Sequence, residues 1–271
     1  MAENNFDLQR LLEKIYNDRG FDFREYRETT LARRLRRRLF ARKVDTYTDY
    51  AAILDLNPDE YEKLFNDLTI NVSSFFRDAE VFKALEETVL PALVNENSNP
   101  LRTLRIWCAG CATGQEPYSI AILLHEIPGA EIGRRDITIL ATDIDNKVLQ
   151  RAREGVFTEK ELQDIRPEYL DRYFVPADTG FSVRPEIRKP VNFERHDLVT
   201  DRFHCDMDLI VCRNVLIYFS SALQLRVLQG FHQALQPRGF LLLGKSESLA
   251  GRQKELFQAL DAKLRLYRKA G

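Results

Sequence analysis

A chain of 271 residues, 44% of them hydrophobic, is long enough to bury one large core or a small and a medium one. Its 40 lysines and arginines nearly cancel 41 acids, leaving a formal charge of -1, which excludes a surface built throughout for polyanions but allows a local basic patch. No apolar run approaches the ~20 residues a spanning helix needs, and the first residues lack a basic segment followed by an apolar one, so no direct membrane insertion and a cytoplasmic location are expected.

Residues 1–85 carry helical spacing with few β-branched runs, and Asn57-Pro58-Asp59-Glu60 marks a turn into another helix, so a helical domain is expected there. Within it, residues 31–43 hold seven basic side chains and no acid. Leu31, Leu35 and Leu39 recur every fourth position, which packs one stripe inward and turns Arg33, Arg36 and Arg37 outward. Such a face attracts polyanions, either an acidic protein helix or nucleic-acid phosphates.

From Leu104 onward the pattern changes to apolar runs of strand length alternating with helical segments, the signature of βα units in a largely parallel sheet. Strands are expected over 104–109, 137–142, 207–212 and 239–244, within an α/β, Rossmann-like domain spanning 86–271. Shorter strands are expected at 180–184 and 191–193, with Pro185 and Pro190 limiting their ladder pairing. The first strand turns through Gly110 and Gly114 into the helical run Tyr118 to Leu124, an arrangement that brings backbone close to a nucleotide-like ligand.

Open α/β sheets bind ligands at the carboxyl ends of their strands, so the residues found there are the candidates for chemistry. They are Glu116 after the first strand, Asp143 after the second, His196-Asp197-Leu198 before the later strand, and Arg213-Asn214 after Cys212. A phosphate-binding turn would offer glycines and a lysine, whereas this turn has no lysine and keeps a glutamate. Carboxylates at 116 and 143 with the Asn214 amide suit a ligand with ribose hydroxyls, an amino group and positive charge. S-adenosylmethionine is such a molecule, and a close unit charge pair contributes ~4 kcal/mol at an effective dielectric of 20 before desolvation.

The four cysteines do not make a metal site. Cys108 and Cys111 have the two-residue gap of zinc ligands, but Cys205 and Cys212 are six residues apart and supply no second close pair. They are expected to be free, mostly buried thiols. Histidines 125, 196, 204 and 232 show no ligand spacing and are read as structural.

The order of motifs resembles the chemotaxis receptor glutamate methyltransferases of the CheR type. The resemblance is carried by Asn71-Val72-Ser73-Ser74-Phe75-Phe76-Arg77, by the glycine turn Gly110 to Pro117, by Ala141-Thr142-Asp143-Ile144-Asp145, and by Cys212-Arg213-Asn214-Val215-Leu216-Ile217-Tyr218-Phe219. It extends over residues 5–268. It implies that Asn71, Ser73, Arg77, Gly110, Glu116, Asp143, Asp197, Leu198, Arg213 and Asn214 hold S-adenosylmethionine, with Arg77 and Tyr218 nearest the transferred methyl. Ser73 replaces the commoner threonine and keeps the hydroxyl, while Asp197 stands where asparagine is usual. A small antiparallel β sub-domain is implied at 174–194, and its shortness favours a member that does not use a receptor C-terminal tether.

The implied reaction gives glutamate methyl esters and S-adenosylhomocysteine. The implied partner is the cytoplasmic helical domain of methyl-accepting chemotaxis receptors, met by Arg33, Arg36 and Arg37 of a monomeric enzyme, with no nucleic acid expected. Two other readings of the residues are a nucleic-acid methyltransferase and a non-catalytic adaptor that senses the cofactor. The first would want an Asp/Asn-Pro-Pro-aromatic element where Arg213-Asn214-Val215-Leu216 stands, or a nucleophilic Cys212.

Overall fold

The leucine periodicity at the start of the chain folds into helices that each bury one stripe. The computed structural model describes residues 2–69, 71–96, 102–127 and 136–271. They form two units, residues 1–71 with 218–226, and residues 72–217 with 227–271.

The smaller unit contains α1 (Ala2–Arg19), α2 (Glu28–Arg42), α3 (Tyr47–Leu56) and α4 (Asp59–Leu68). Thr46 caps α3 by accepting from the Asp49 N–H at 3.0 Å, and Lys43 ends α2 in the left-handed conformation. Leu31, Leu35 and Leu39 of α2 pack in one core with Leu8 to Ile15 of α1, Tyr50 and Leu54 of α3, and Leu64 of α4. Inside that core Glu60 is fully buried, and the Tyr50 hydroxyl donates to it at 3.0 Å while Arg38 pairs with it. A buried carboxylate is tolerated only when paired, so this contact fixes α2, α3 and α4 together.

Residues distant in sequence complete this unit. The backbone N–H of Arg27 donates to Tyr218 O at 2.8 Å, Ser220 N–H donates to Glu25 O at 2.9 Å, and Arg226 pairs with Glu25 at 2.8 Å. These bonds explain why residues 218–226 count with the helices rather than with the strand they follow.

The units divide at Asn71 and Val72, whereas the sequence pattern suggested a helical domain reaching residue 85. The reason is packing. Phe75, Val81, Phe82, Leu85, Val89 and Leu90 are buried in the core of the larger unit. They come from the segment before and within α5 (Ala79–Ala84), a π-helical turn (Leu85–Val89) and α6 (Leu90–Glu96).

The larger unit is built on a seven-stranded sheet of order β6-β2-β1-β7-β8-β10-β9. Its parallel part comprises β1 (Leu104–Ala109), β2 (Ile137–Asp143), β6 (Val191–Arg195), β7 (Met207–Cys212) and β8 (Leu235–Leu243). α7 (Gln115–Glu126) follows β1, α8 (Asn146–Glu154) follows β2, and α9 (Ser221–Ala234) leads into β8. The chain runs outward from β1 through β2 to β6, then returns to place β7 on the other side of β1. That reversal puts the switch point, where such sheets bind ligands, at the ends of β1 and β7. All six residues of β7 are buried, as expected of a strand covered on both faces.

Four features depart from the sequence expectation. β8 begins at Leu235 rather than 239, with a register shift between Met207 and Leu209 of its partner that accommodates Gln236 to Gly239. The C-terminal strands β9 (Phe257–Asp261) and β10 (Leu266–Lys269), antiparallel beside β8, were not expected at all. The run at 191–193 joins the main sheet as β6. Pro190, just ahead of it, has no N–H to donate but still joins the ladder through its carbonyl, which accepts from Ile139 N–H at 2.8 Å. The small antiparallel sheet is instead β3 (Val156–Phe157), β5 (Gly180–Val183) and β4 (Phe174–Ala177), beginning well before residue 174.

One buried side chain holds the loop after β7 in place. Glu247, after β8, is 4% exposed and accepts backbone N–H bonds from Asn214 (3.0 Å), Val215 (2.9 Å), Ile217 (3.3 Å) and Gly244 (2.6 Å). Burial pushes its carboxyl above the usual range, opposed by those donors. Glu247→Gln replaces an acceptor oxygen by a donor and orphans buried N–H groups. A stability loss of ~1–3 kcal/mol is expected in denaturant titration, with weaker S-adenosylhomocysteine binding; unchanged stability would mean that the loop does not depend on this carboxylate.

Candidate functional site

The five parallel strands bring their carboxyl ends to one edge of the sheet, and Gly110, Glu116, Asp143, Asp197, Leu198, Arg213 and Asn214 come at or after the ends of four of them. After β1 the chain turns through Gly110 (φ +79°) and Gly114 (φ +93°), which are left-handed positions that favour glycine. A Cβ on Gly110 would stand 2.4 Å from Val215 Cγ2, and one on Gly114 would stand 3.0 Å from Ala152 Cβ. The glycines therefore let this turn approach both the loop after β7 and helix α8.

Asp143 ends β2 and organises the turn. Its carboxylate accepts the N–H of Ala112 at 2.9 Å and of Asp145 at 3.0 Å. Ala112 itself has φ +47°, a conformation costly for a residue with a Cβ, and the bond to Asp143 helps to hold it. The Asp143 carbonyl accepts from His196 N–H at 3.0 Å, which places Asp197 and Leu198, just beyond β6, alongside. Burial pushes the Asp143 carboxyl up to about 6, with the two backbone donors opposing and Asp145 adding to the rise.

On the other side of the turn, Arg213 is held at three points. Its Nη1 donates to Glu116 Oε2 at 3.0 Å, and its Nη2 donates to Arg77 O at 3.0 Å and to Asp78. Burial raises the Glu116 carboxyl, and the nearby charges of Arg213 and Arg77 oppose the rise. The two carboxylates expected to act alike are therefore unlike: Glu116 is matched by a buried guanidinium, whereas Asp143 meets only backbone donors. Arg213 is engaged within the protein through both terminal nitrogens, so it positions Glu116 and the 77–78 segment.

The remaining candidates divide by unit. Ser73 and Arg77 belong to the larger unit, both half-buried, with Arg77 Nη1 donating to Val72 O at 3.3 Å. Asn71 and Tyr218 belong to the smaller one. There the Asn71 amide donates to Thr69 Oγ1 at 3.2 Å, and the Arg34 guanidinium lies 5.9 Å from the Tyr218 ring centroid. Arg33 and Arg36 are exposed on α2 and form no ion pair among the described residues, while Arg37 pairs with Asp67. The most exposed large hydrophobic side chain beside them on α2 is Phe40, at 86%.

Several polar atoms at this edge are buried without a partner, namely Asn214 Oδ1, Asp197 Oδ2 and Arg213 Nε. Unpaired acceptors beside Asp143 fit a ligand rich in hydroxyl and amino donors and do not fit a polyphosphate. Burial also raises the Asp197 carboxyl. Asn214 adopts φ +61°, tolerable for asparagine, under the grip of Glu247 on its N–H. Glu247 is the residue the sequence reading missed; an acid four places beyond the fifth parallel strand was its only signal.

Cys108, Cys111 and Cys212 are buried, which pushes their thiols well above the usual range, and Cys205 is exposed. His196 packs edge-on to the fully buried Trp107 at 5.3 Å between centroids, and Trp107 Nε1 donates to Thr142 Oγ1 at 2.9 Å. Among the described residues no helix is long and apolar enough to cross a membrane.

Comparison with known proteins accords with this geometry. Residues 71–266 match the family model described as CheR methyltransferase, SAM binding domain, and residues 7–69 match CheR methyltransferase, all-alpha domain. A chemotaxis protein methyltransferase of Listeria monocytogenes is 34% identical over 235 residues, covering 87% of each chain. That of Salmonella typhimurium is 33% identical over 263 residues, covering 94% of this chain and 88% of the relative. An uncharacterized 104.1 kDa protein of Rhodobacter capsulatus is 36% identical over 260 residues, and there the match covers 96% of this chain but 27% of the relative. The chain belongs to the CheR methyltransferase family and is an S-adenosylmethionine-dependent methyltransferase.

Proposed function

We propose that this enzyme methylates glutamate side chains on the cytoplasmic helical domain of methyl-accepting chemotaxis receptors, forming glutamate methyl esters in sensory adaptation. The observation that carries the reading is the acceptor-rich edge built by Asp143, Glu116 and Asn214 around a glycine turn without a lysine. The names of the relatives, chemotaxis protein methyltransferases, support the receptor as substrate. When bound, S-adenosylmethionine supplies a methyl group on a positively charged sulfur that leaves as a neutral thioether.

Within this reading Asp143 receives the ribose hydroxyls. Asp197, Leu198 and Asn214 border the adenine and sugar, and Gly110 lets the backbone come close. Glu116, Asn71, Ser73 and Arg77 hold the amino-acid portion. The acceptor glutamate, with a reference pKa of ~4.3, is already ionised at neutral pH and needs no general base. What the chain supplies is alignment of the attacking oxygen and exclusion of water around two opposite charges. Arg77 orients the carboxylate through a charge-assisted bond, and Tyr218 adds a phenolic donor. Arg33 and Arg36, without ion-pair partners among the described residues, face the acidic receptor helix, and Arg37 contributes less because Asp67 already neutralises it. A monomer working in the cytoplasm suits such a substrate.

Carbon-5 base methylation is disfavoured, because it needs a thiolate and burial holds the Cys212 thiol in its neutral form. Incubation with methyl-labelled cofactor and receptor-bearing membranes is expected to give label on receptor that base releases as methanol. Base-stable label, or label in nucleic acid, would overturn the assignment.

Two further outcomes follow from the charges. Burial raises the Asp143 carboxyl to about 6, so lowering pH through that value protonates the acceptor on which the ribose depends. Affinity for S-adenosylhomocysteine should weaken by roughly tenfold per unit below that pH, and Asp143→Asn should flatten the profile in calorimetry; a profile that stays as steep in the variant would move the titrating group elsewhere. The double substitution Arg33→Glu, Arg36→Glu is expected to lower receptor methylation at least tenfold while leaving S-adenosylhomocysteine affinity unchanged, and equal loss of both would signal misfolding instead of lost docking.

A further inference from the structure

The larger unit has a second cleft that methyl transfer does not use. It encloses about 470 Å³, within the range of small-ligand sites, and is lined by Tyr118, Arg153, Arg188, Lys189, Asn192 and Phe193 together with Pro185 and Val191. Three of these side chains are cations and none is an acid. The acidic neighbours in sequence, Glu154, Glu186 and Glu194, do not line it.

The cations also lack the partners that their neighbours have. Arg151 pairs with Glu161, Arg166 with Glu86 and Arg172 with Glu126, yet no ion pair among the described residues involves Arg153, Arg188 or Lys189. The two guanidinium groups are oriented by backbone carbonyls: Arg153 Nη2 donates to Phe193 O at 2.8 Å, and Arg188 Nη2 donates to Arg153 O at 2.5 Å. The Arg188 guanidinium also meets the Tyr118 hydroxyl; neutral partners fix direction without cancelling charge, so the N–H donors they leave over are preorganised for an anion. Lys189 is exposed and adds a mobile third charge.

The neutral part of the wall includes two aromatic rings. The rings of Tyr118 and Phe193 meet edge-on at 5.6 Å, and the Asn192 amide stands beside them on β6. Phe193 also backs the cofactor turn, since its Cζ lies 3.3 Å from where a Gly114 Cβ would be. Tyr118 is tied to the same turn by its N–H, which donates to Gly114 O at 3.2 Å. An anion in the cleft would therefore press on residues that shape the turn from behind.

We propose that this cleft binds the phosphoryl group of a small phosphorylated ligand, at a site separate from the cofactor edge, and that its occupancy alters cofactor affinity through Phe193 and Tyr118. Planar aromatic walls and a paired guanidinium suit a nucleotide or a simple diphosphate alike, and two probes distinguish them. ADP and inorganic pyrophosphate are titrated separately into the full chain by calorimetry at constant ionic strength. One-to-one binding of both is expected, with ADP tighter if the base meets the aromatic wall and equal to pyrophosphate if only the phosphoryl group is held.

Arg188→Glu and, separately, the exposed Lys189→Glu should each weaken that binding by roughly tenfold or more, while S-adenosylhomocysteine still binds both variants and so reports that they are folded. Saturating ADP should change S-adenosylhomocysteine affinity in the natural chain and not in the variants. Failure of both probes to bind, undiminished binding in the folded variants, or simple competition between ADP and S-adenosylhomocysteine would each overturn the proposal.

Discussion

The site is organised around one buried charge. The side chain of Arg213 is 2% exposed, and its two terminal nitrogens are engaged by Glu116, Asp78 and the Arg77 carbonyl, from two segments far away in sequence. Breaking such a pair from one side costs ~3–5 kcal/mol, because the partner is left charged and dry. The residue after β7, the first turn of α7 and the segment ahead of α5 must therefore arrive together. The same contact fixes the direction in which Glu116 points and carries the backbone on which Arg77 stands.

A second constraint acts from behind. Glu247 gathers N–H groups from three residues of the loop after β7 and one after β8, so a single carboxylate substitutes for the ladder that the strands can no longer supply. Asn214 is thereby held at a positive φ, with its amide oxygen buried and unpartnered. Asp143 does the same for the glycine turn through Ala112 and Asp145. The edge of the sheet is thus shaped by carboxylates that accept from backbone, and Asn214 Oδ1 and Asp197 Oδ2 are left there as buried acceptors without a partner.

This division gives two acids of one edge different work. Glu116 is matched by Arg213, so it offers a fixed lone pair more than a net charge. Asp143 accepts from backbone donors and has no ion-pair partner among the described residues, and desolvation raises its carboxyl accordingly. An enzyme that binds a cation and an anion at adjacent points benefits from this arrangement, since a strongly negative edge would repel the carboxylate to be methylated.

Much of the fold was legible in the chain because it rests on local rules: the fourfold leucine spacing of α2, the runs that became β1, β2 and β7, and the glycine turn between β1 and α7. The positions of Glu116, Asp143, Arg213 and Asn214 at or beyond the strand ends were legible for a related reason, since strand ends can be read once strands are found. Pairing was not legible, because it depends on which segments meet. Residues 72–85 read as part of the helical domain and only packing assigned them to the sheet unit; residues 218–226 follow β7 yet join the helices through Glu25 and Arg27; β9 and β10 are too short and polar to announce themselves. The sequence by itself determined the long helices and the central strands, the acidic and glycine positions and the family. Only the tertiary structure decided which carboxylate is neutralised, which is left to titrate and which holds the loop, because each outcome depends on burial and on a partner distant along the chain.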